Sequence, residues 1–382
     1  MKVKHLKLLN FKNFKDKEFH FSDGINLITA ANGSGKTNVL DSIRTLCYGK
    51  PLFSLKENNC INLDVLNSNL PYTKVIMRWE NNEEHSSSYT LSPTMKPIKS
   101  LVIDNLKKTQ RGFIGLFNVV WFSPETINII TSAPKYRREI LDAYFCQLSS
   151  EYFIALTEYQ KALDARNRFL KIQDRDNIYR YLYKFDEIFA KRAKDLIEVK
   201  NRLIIRLKKA VVISSLLQNR YNINFELEPN ISLHEIFDEN IYIKIVDQLK
   251  INKEKDIATK RTNTGPHKDD WTLTLSSNPP LSSGTSTNDS PSYEATLYDL
   301  RYFGSRGQKR MGLLIFTLSI VHLLDEEKGS KPVLLLDDVV SELDDENISL
   351  IISMLNRKDQ QSIITSTHSN ILGLEDINLI TL

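Results

Sequence analysis

Residues 25 to 46 constrain the fold more tightly than any other stretch of this chain. A short apolar run, Ile25-Asn26-Leu27-Ile28-Thr29, leads into Ala30-Ala31-Asn32-Gly33-Ser34-Gly35-Lys36-Thr37-Asn38. Apolar residues then recur at helical spacing, at Val39, Leu40, Ile43 and Leu46. That order predicts a strand, a tight loop and a helix. A loop pinned this way turns its free N–H groups into one small space, and the helix dipole adds partial positive charge there. Gly33 and Gly35 let the backbone curl. Lys36 is placed to reach β- and γ-phosphates, and the Thr37 hydroxyl to hold Mg²⁺. Residues 30 to 38 are therefore the candidate nucleotide-binding loop. Ala30 stands where such loops usually carry their first glycine, which a small residue can fill if its φ is negative.

The far end of the chain supplies the matching acids. Val333-Leu334-Leu335-Leu336 is an apolar run that ends in Asp337-Asp338. A buried strand delivering carboxylates at its C-terminal end suits an open α/β sheet, where ligands bind beyond the strand ends. Asp337 is the candidate metal ligand beside Thr37, and Asp338 the candidate general base for an attacking water. Three shorter pieces accompany them. Ser305-Arg306-Gly307-Gln308 opens an apolar helical run from Met311 to Leu324. Ser341-Glu342-Leu343-Asp344 follows the acid pair, and Ser362-Ile363-Ile364-Thr365 runs into His368. Singly these also read as a helix N-cap, a capping box and a lone histidine at a strand end. In this order they resemble the ATP-binding-cassette head, as its signature motif, D-loop and switch histidine. Ser305, Arg306, Gly307, Gln308, Ser341 and Asp344 thus join the candidate nucleotide contacts, and Lys36, Asp338 and His368 the candidate catalytic groups.

Glycine exposes the organisation. No glycine lies between Gly115 and Gly265, and beyond Pro124 only Pro134 and Pro229 interrupt that stretch. Long helices are expected where these two residues are scarce. Apolar residues from Leu182 through Phe185, Phe189, Ala193, Leu196, Val199, Leu203 and Leu207 to Ala210 describe one long amphipathic helix. A partner helix is expected over 134 to 170, with Phe153, Leu156, Leu163 and Phe169 facing it. Outside this region Val3–Leu8, Lys74–Trp79 and Trp271–Leu275 alternate as strands. The expectation is an α/β head of the ATP-binding-cassette type made from both chain ends, with an inserted helical lobe. Its divisions are 1–130, 131–262 for the lobe, and 263–382. Residues 276 to 293, rich in Ser, Pro and Asn, read as a surface loop.

The bulk properties fit an ATPase of a reducing compartment, the cytoplasm. The three cysteines, Cys47, Cys60 and Cys146, form no CxxC pair, so neither a zinc site nor a disulfide framework is indicated. The longest apolar segment contains Thr317, Ser319 and His322 and is too short to span a bilayer. A net charge of +4 is too small to diagnose nucleic-acid binding.

Further segments narrow the likeness. Asn10-Phe11-Lys12-Asn13-Phe14, Phe122-Ser123-Pro124-Glu125, Arg137-Arg138, Tyr159, Arg166-Asn167 and Thr264-Gly265-Pro266-His267-Lys268-Asp269-Asp270 all resemble the RecF family of SMC-related ATPases. Arg306 and Asp338 fit it too, where transporter subunits carry glycine and glutamate. The resemblance covers nearly every segment except 276 to 293. It implies ATP and Mg²⁺ as ligands, a nucleotide contact from Lys12, and a homodimer formed on ATP. It also implies binding to gapped or junction DNA, and cooperation with RecO and RecR in loading RecA during repair, replication-fork maintenance and the SOS response. ATP hydrolysis is expected to be weak and DNA-dependent.

Charge adds a reading of its own. Residues 161 to 209 hold 15 Lys and Arg against 7 Asp and Glu. Lys191, Arg192, Lys194, Lys200, Arg202, Arg206, Lys208 and Lys209 crowd one helix and are the candidate DNA contacts, reading phosphate rather than bases. A solvated helix face is the plain alternative. For the whole chain, a transporter's soluble ATPase subunit and a DNA-binding scaffold without hydrolysis stand as the other readings.

Overall fold

The computed structural model describes residues 1–51, 57–66, 68, 71–93, 98–123, 128–216, 222–231, 240–276, 297–338, 355, 359–367 and 376–382. Ser341, Asp344 and His368, and nearly all of the 276–293 loop, lie outside the described residues. The chain divides into two compact units: residues 1–128 with 320–382, and residues 129–319. The first boundary falls within two residues of the expected one. The second falls at Ile320 rather than at 263, so the segment from 263 to 319, signature motif included, belongs with the helical lobe.

The first unit contains two sheets. Strands β1 (Lys2–Phe11), β2 (Phe14–His20), β4 (Thr73–Asn81), β5 (Glu83–Ser92), β6 (Ile98–Ile103) and β7 (Leu106–Lys108) form an antiparallel sheet in the order β2-β1-β4-β5-β6-β7. A parallel sheet runs β14-β3-β13-β12-β8, built from β3 (Ile25–Thr29), β8 (Val119–Phe122), β12 (Val333–Asp337), β13 (Ser362–Ser366) and β14 (Ile377–Thr381). Helix α1 (Lys36–Tyr48) packs on β12 and β13 and also on β1, β4 and β5. Its buried Val39, Leu40, Ile43 and Leu46 are the residues whose spacing announced a helix. Gln361 joins the sheets. Its amide accepts from Val3 N at 2.6 Å and donates to Val3 O and Ser22 O at 2.7 Å each, satisfying both buried main-chain groups of Val3 in the first strand.

The second unit is helical with a three-stranded sheet. A short helix, α2 (Leu63–Leu66), belongs to the first unit; α3 (Pro134–Leu148), α4 (Ser150–Ile172) and α5 (Arg175–Leu216) follow in the second. Shorter helices α6 (Ile241–Ile251), α7 (Lys253–Thr259) and α8 (Leu300–Phe303) lie further along. The single partner helix expected over 134 to 170 is thus two. Ser149 breaks it with extended φ/ψ and caps the next helix, its side chain accepting from Tyr152 N at 3.2 Å. The buried row of α4 also differs from the expected one. Phe153, Leu156, Leu163 and Phe169 are half-buried, while Tyr152, Ala155, Tyr159, Ala162, Arg166 and Leu170 face inward. Polar tips mislead a purely apolar reading of a helix face: Tyr152 donates to Asp142, and Arg166 is fully buried and pairs with Asp186 and Asp256. The seam of α5 is buried as expected from Phe189 to Ala210. Strands β9 (Ile223–Glu228), β10 (Asp270–Ser276) and β11 (Leu297–Asp299) pair antiparallel with β10 central, and Trp271 of β10 stacks on Phe225 and Phe316 at 5.4 and 5.0 Å. Among the described residues, no helix is long and apolar enough to cross a membrane.

Candidate nucleotide-binding site

The loop after β3 has the conformation that the sequence requires of it. Gly33 and Gly35 sit at φ +79° and +102°, positions that side-chain-bearing residues rarely adopt, whereas Ala30 is not among the positive-φ residues. Its replacement of a glycine is therefore unstrained. Gly35 caps α1 with no side-chain cap, leaving the helix's first N–H groups for a ligand. A β-carbon at Gly35 would collide with the Asn13 side chain. Asn13, in the turn between β1 and β2, donates to Ser34 O at 2.9 Å and accepts from Asn38 Nδ2 at 2.7 Å. It holds the loop closed from outside. The sequence offered Asn13 only as part of a likeness, because a turn asparagine far from a loop carries no local sign of touching it.

Lys36 is 7% exposed, and its ammonium donates to Ala30 O at 2.7 Å and Ala31 O at 3.0 Å. Among the described residues no carboxylate pairs with it. A buried cation held only by neutral carbonyls keeps most of its charge uncompensated, the condition for an anion site. Asn32 and Gly33 lie exposed at the rim. At the base, Thr37 Oγ1 lies 2.8 Å from Asp337 Oδ2, joining two motifs 300 residues apart. These are hard oxygen donors of the kind Mg²⁺ takes, together with water and phosphate oxygens, so the pair fits that ion.

Strand β13 separates β3 from β12 and supplies a residue that the sequence reading passed over. Thr365 donates to Asp337, and its hydroxyl accepts from the main-chain N–H of Asp338 at 3.0 Å. One hydroxyl thus holds the Asp337 carboxylate and the main chain of Asp338. The available signal was a threonine at the end of a strand otherwise apolar along its inner positions. Asp338 itself has φ +45°, a strained conformation for a residue with a side chain and one that clusters at functional sites. Lys12, also at positive φ, pairs with Asp41, which in turn pairs with Arg44.

The signature segment lies in the second unit. There Ser305 and Gln308 close a reciprocal cap: Gln308 N donates to Ser305 Oγ at 3.2 Å, and Ser305 N donates to Gln308 Oε1 at 2.8 Å. Gln308 Nε2 also donates to Tyr298 OH at 3.3 Å. Arg306 begins α9 (Arg306–Lys328) and, with Gly307, stays exposed.

The DNA candidates divide. Lys191 and Lys209 are exposed. Arg202 pairs with Glu151 at 2.6 Å, Lys208 with Glu226 at 2.6 Å, Lys194 with Glu198 at 3.7 Å, and Arg192 with Asp195 at 3.3 Å. Arg206 is half-buried. Exposed pairs of this kind are worth about 0–1 kcal/mol and open readily. Lys200 is different and corrects the sequence reading. It is 4% exposed and pairs with buried Asp269 at 2.8 Å, so it cannot meet a phosphate.

Asp269 belongs to the Thr264–Asp270 string, whose work here is packing. A β-carbon at Gly265 would fall 2.7 Å from Tyr159 OH and 2.9 Å from Phe189 Cζ. His267 bonds Tyr159 through Nδ1 and sits 3.0 Å from Thr262 O through Nε2; burial pushes its pKa down to about 4. Asp270 accepts from Arg137 Nε at 2.7 Å, and that arginine pairing holds the carboxyl below the usual range against the opposing cost of burial. Beside them Arg166 pairs with Asp256 at 2.7 Å and Asp186 at 2.8 Å, and burial raises the Asp186 pKa.

A phosphate loop, an acid-terminated interior strand and a Ser-capped signature helix define an ATP-binding-cassette head of the SMC-related class. The family profile described as the RecF/RecN/SMC N terminal domain matches residues 2–378. Curated relatives named DNA replication and repair protein RecF include one from Clostridium kluyveri, 31% identical over 99% of this chain and 94% of its own length. Another, from Caldanaerobacter subterraneus, is 32% identical over 96% and 94%. A solved structure described as the recombination mediator protein RecF with ATP in the RecFOR pathway superposes with a TM-score of 0.80 at 29% identity, covering 98% of this chain and 93% of that one. The chain belongs to the RecF family of DNA replication and repair proteins.

Proposed function

We propose that this protein is an ATP-gated DNA-binding protein of recombinational repair. The observation that carries the reading is the 2.8 Å contact between Thr37 and Asp337, beside an ammonium with no counter-ion among the described residues. Residues 30 to 38 would cradle ATP: Lys36 would leave the Ala30 and Ala31 carbonyls for the β- and γ-phosphates, and Thr37 with Asp337 would hold Mg²⁺. That ion would neutralise charge on the phosphates. Asp338, held by Thr365, would take the proton of an attacking water, with His368 assisting. Slow hydrolysis suits a switch rather than a metabolic enzyme.

Dimerisation follows from the signature helix. Ser305 starts a helix whose N-terminal turn it caps together with Gln308, and in a homodimer the positive end of that helix would meet the γ-phosphate bound by the opposite protomer. Loss of the γ-phosphate would then loosen the pair. Arg306, Gly307 and Gln308 would line the same contact, with Ser341 and Asp344 of the D-loop nearby. The DNA partner would be gapped or junction DNA, met through phosphates by Lys191, Lys209 and the openable pairs of α5. The relatives' RecFOR setting supports RecO and RecR as partners and RecA loading as the outcome.

Sedimentation velocity with and without MgATP tests this reading. The parent protein should shift to a dimer with ATP. Ser305→Arg, which fills the space for the opposing phosphate, should bind ATP normally and stay monomeric. A Ser305→Arg variant that dimerises at the parental concentration places the interface elsewhere.

A further inference from the structure

We propose that the outer face of the β1–β2 hairpin is a binding site for one divalent metal ion of borderline softness, zinc being the natural member of that class. The site is made by His5, His20 and Glu18. His5 and His20 are cross-strand partners in the β1–β2 register, and their rings lie 4.8 Å apart. Glu18 precedes His20 by two residues, so it shares the same face of the strand. One ligand atom from each of the three lies within 4.8 Å of the other two.

The chemistry favours a metal over a plain surface network. Two imidazoles and a carboxylate are the nitrogen and oxygen donors that zinc takes, with water as a fourth ligand. Bonds of about 2.0–2.2 Å in a tetrahedron put ligand atoms about 3.4 Å apart. The three groups therefore need to close by roughly one ångström. His20 and Glu18 are both exposed, so both can turn. Among the described residues, no protein donor occupies either ring nitrogen of His5. Nε2 sits 3.2 Å from Glu18 Oε2, and Nδ1 is buried with no hydrogen-bond partner.

Lys7 is the competing group. It faces Glu18 across the strands and donates to Oε1 at 2.6 Å. That bond leaves Oε2 turned toward His5 Nε2 rather than toward the lysine, but the ammonium lowers the carboxylate's basicity and weakens the site. Lys7 is thus expected to tune affinity without being a ligand.

The test uses the full-length protein, titrated with Zn²⁺ against a chromophoric chelator in buffer containing Mg²⁺, which occupies hard oxygen sites. Thermal melting is followed in parallel, since an ion bound only by the folded state raises Tm. The parent should bind one equivalent. Groups that merely support a ligand change affinity about 10–100-fold, so Glu18→Gln and His20→Asn, each removing a direct ligand, should weaken binding at least about tenfold and abolish the Tm shift. Lys7→Gln should bind several-fold more tightly. Equal affinity in all four proteins, or no binding at micromolar zinc, overturns the proposal. All three substituted positions are at least partly exposed, so the variants should fold.

Discussion

Two lysines of this molecule, Lys36 and Lys200, are buried to almost the same extent and are held by opposite kinds of partner. Lys36 is 7% exposed and rests on two main-chain carbonyls; Lys200 is 4% exposed and rests on the carboxylate of Asp269. Burial alone does not separate them. Compensation does. A buried ammonium held by neutral dipoles remains a site for an incoming anion, while one held by a buried carboxylate is a completed ion pair that locks α5 to the Thr264–Asp270 string. Removing one partner of such a pair strands the other charge.

The sharpest way to break this contrast is to remove Lys200. Lys200→Met should destabilise the protein by about 3–5 kcal/mol, measured by urea unfolding, because Asp269 is left charged inside the lobe. Asp269→Leu added to it should recover part of that loss. A Lys200→Met protein of parental stability would return Lys200 to the surface group.

A slightly smaller effect is expected from His267, whose pKa is about 4 in the fold against 6.5 unfolded. Between those values the unfolded chain binds a proton that the folded chain does not, so stability rises with pH across the window. The contribution is fully present above about pH 6.5 and falls by about 3 kcal/mol as pH drops through 4. In His267→Gln this component of the acid destabilisation should vanish. Parallel stability–pH curves for the two proteins would show that His267 is not the titrating group.

The smallest effects belong to the exposed helix charges. Lys191→Gln with Lys209→Gln should flatten the dependence of log DNA affinity on log salt by roughly 0.7–0.9 for each phosphate that is no longer neutralised, leaving stability unchanged. An unchanged slope makes that face a solvated surface.

Legibility in the sequence followed how local each feature was. The strands at Ile25–Thr29, Val333–Asp337 and Ser362–Ser366, the loop glycines and the long helix of the lobe all declared themselves through spacing or conformational need. What escaped were contacts between residues far apart in the chain. Asn13 bonds the loop of residues 30 to 38, Thr365 bonds the Asp337 carboxylate and the Asp338 main chain, and Asp269 pairs with Lys200. None of these has a local pattern, since a hydrogen bond leaves no periodicity. The charge run on α5 misled at Lys200 for the same reason: a count of lysines does not reveal which one has a buried partner. Ser149 likewise split a helix that periodicity read as continuous, because a single capping residue does not interrupt the apolar count.

The most direct test of the contrast is an equilibrium titration of MgATP against the parent, Lys36→Met and Lys200→Met, at a temperature where all three are folded. Lys36→Met should lose at least about 1.5–3 kcal/mol of binding, roughly 10- to 150-fold, since the phosphates lose their charge-assisted donor. Lys200→Met should bind ATP as the parent does. Parental affinity in Lys36→Met would contradict the assignment of residues 30 to 38 as the nucleotide site.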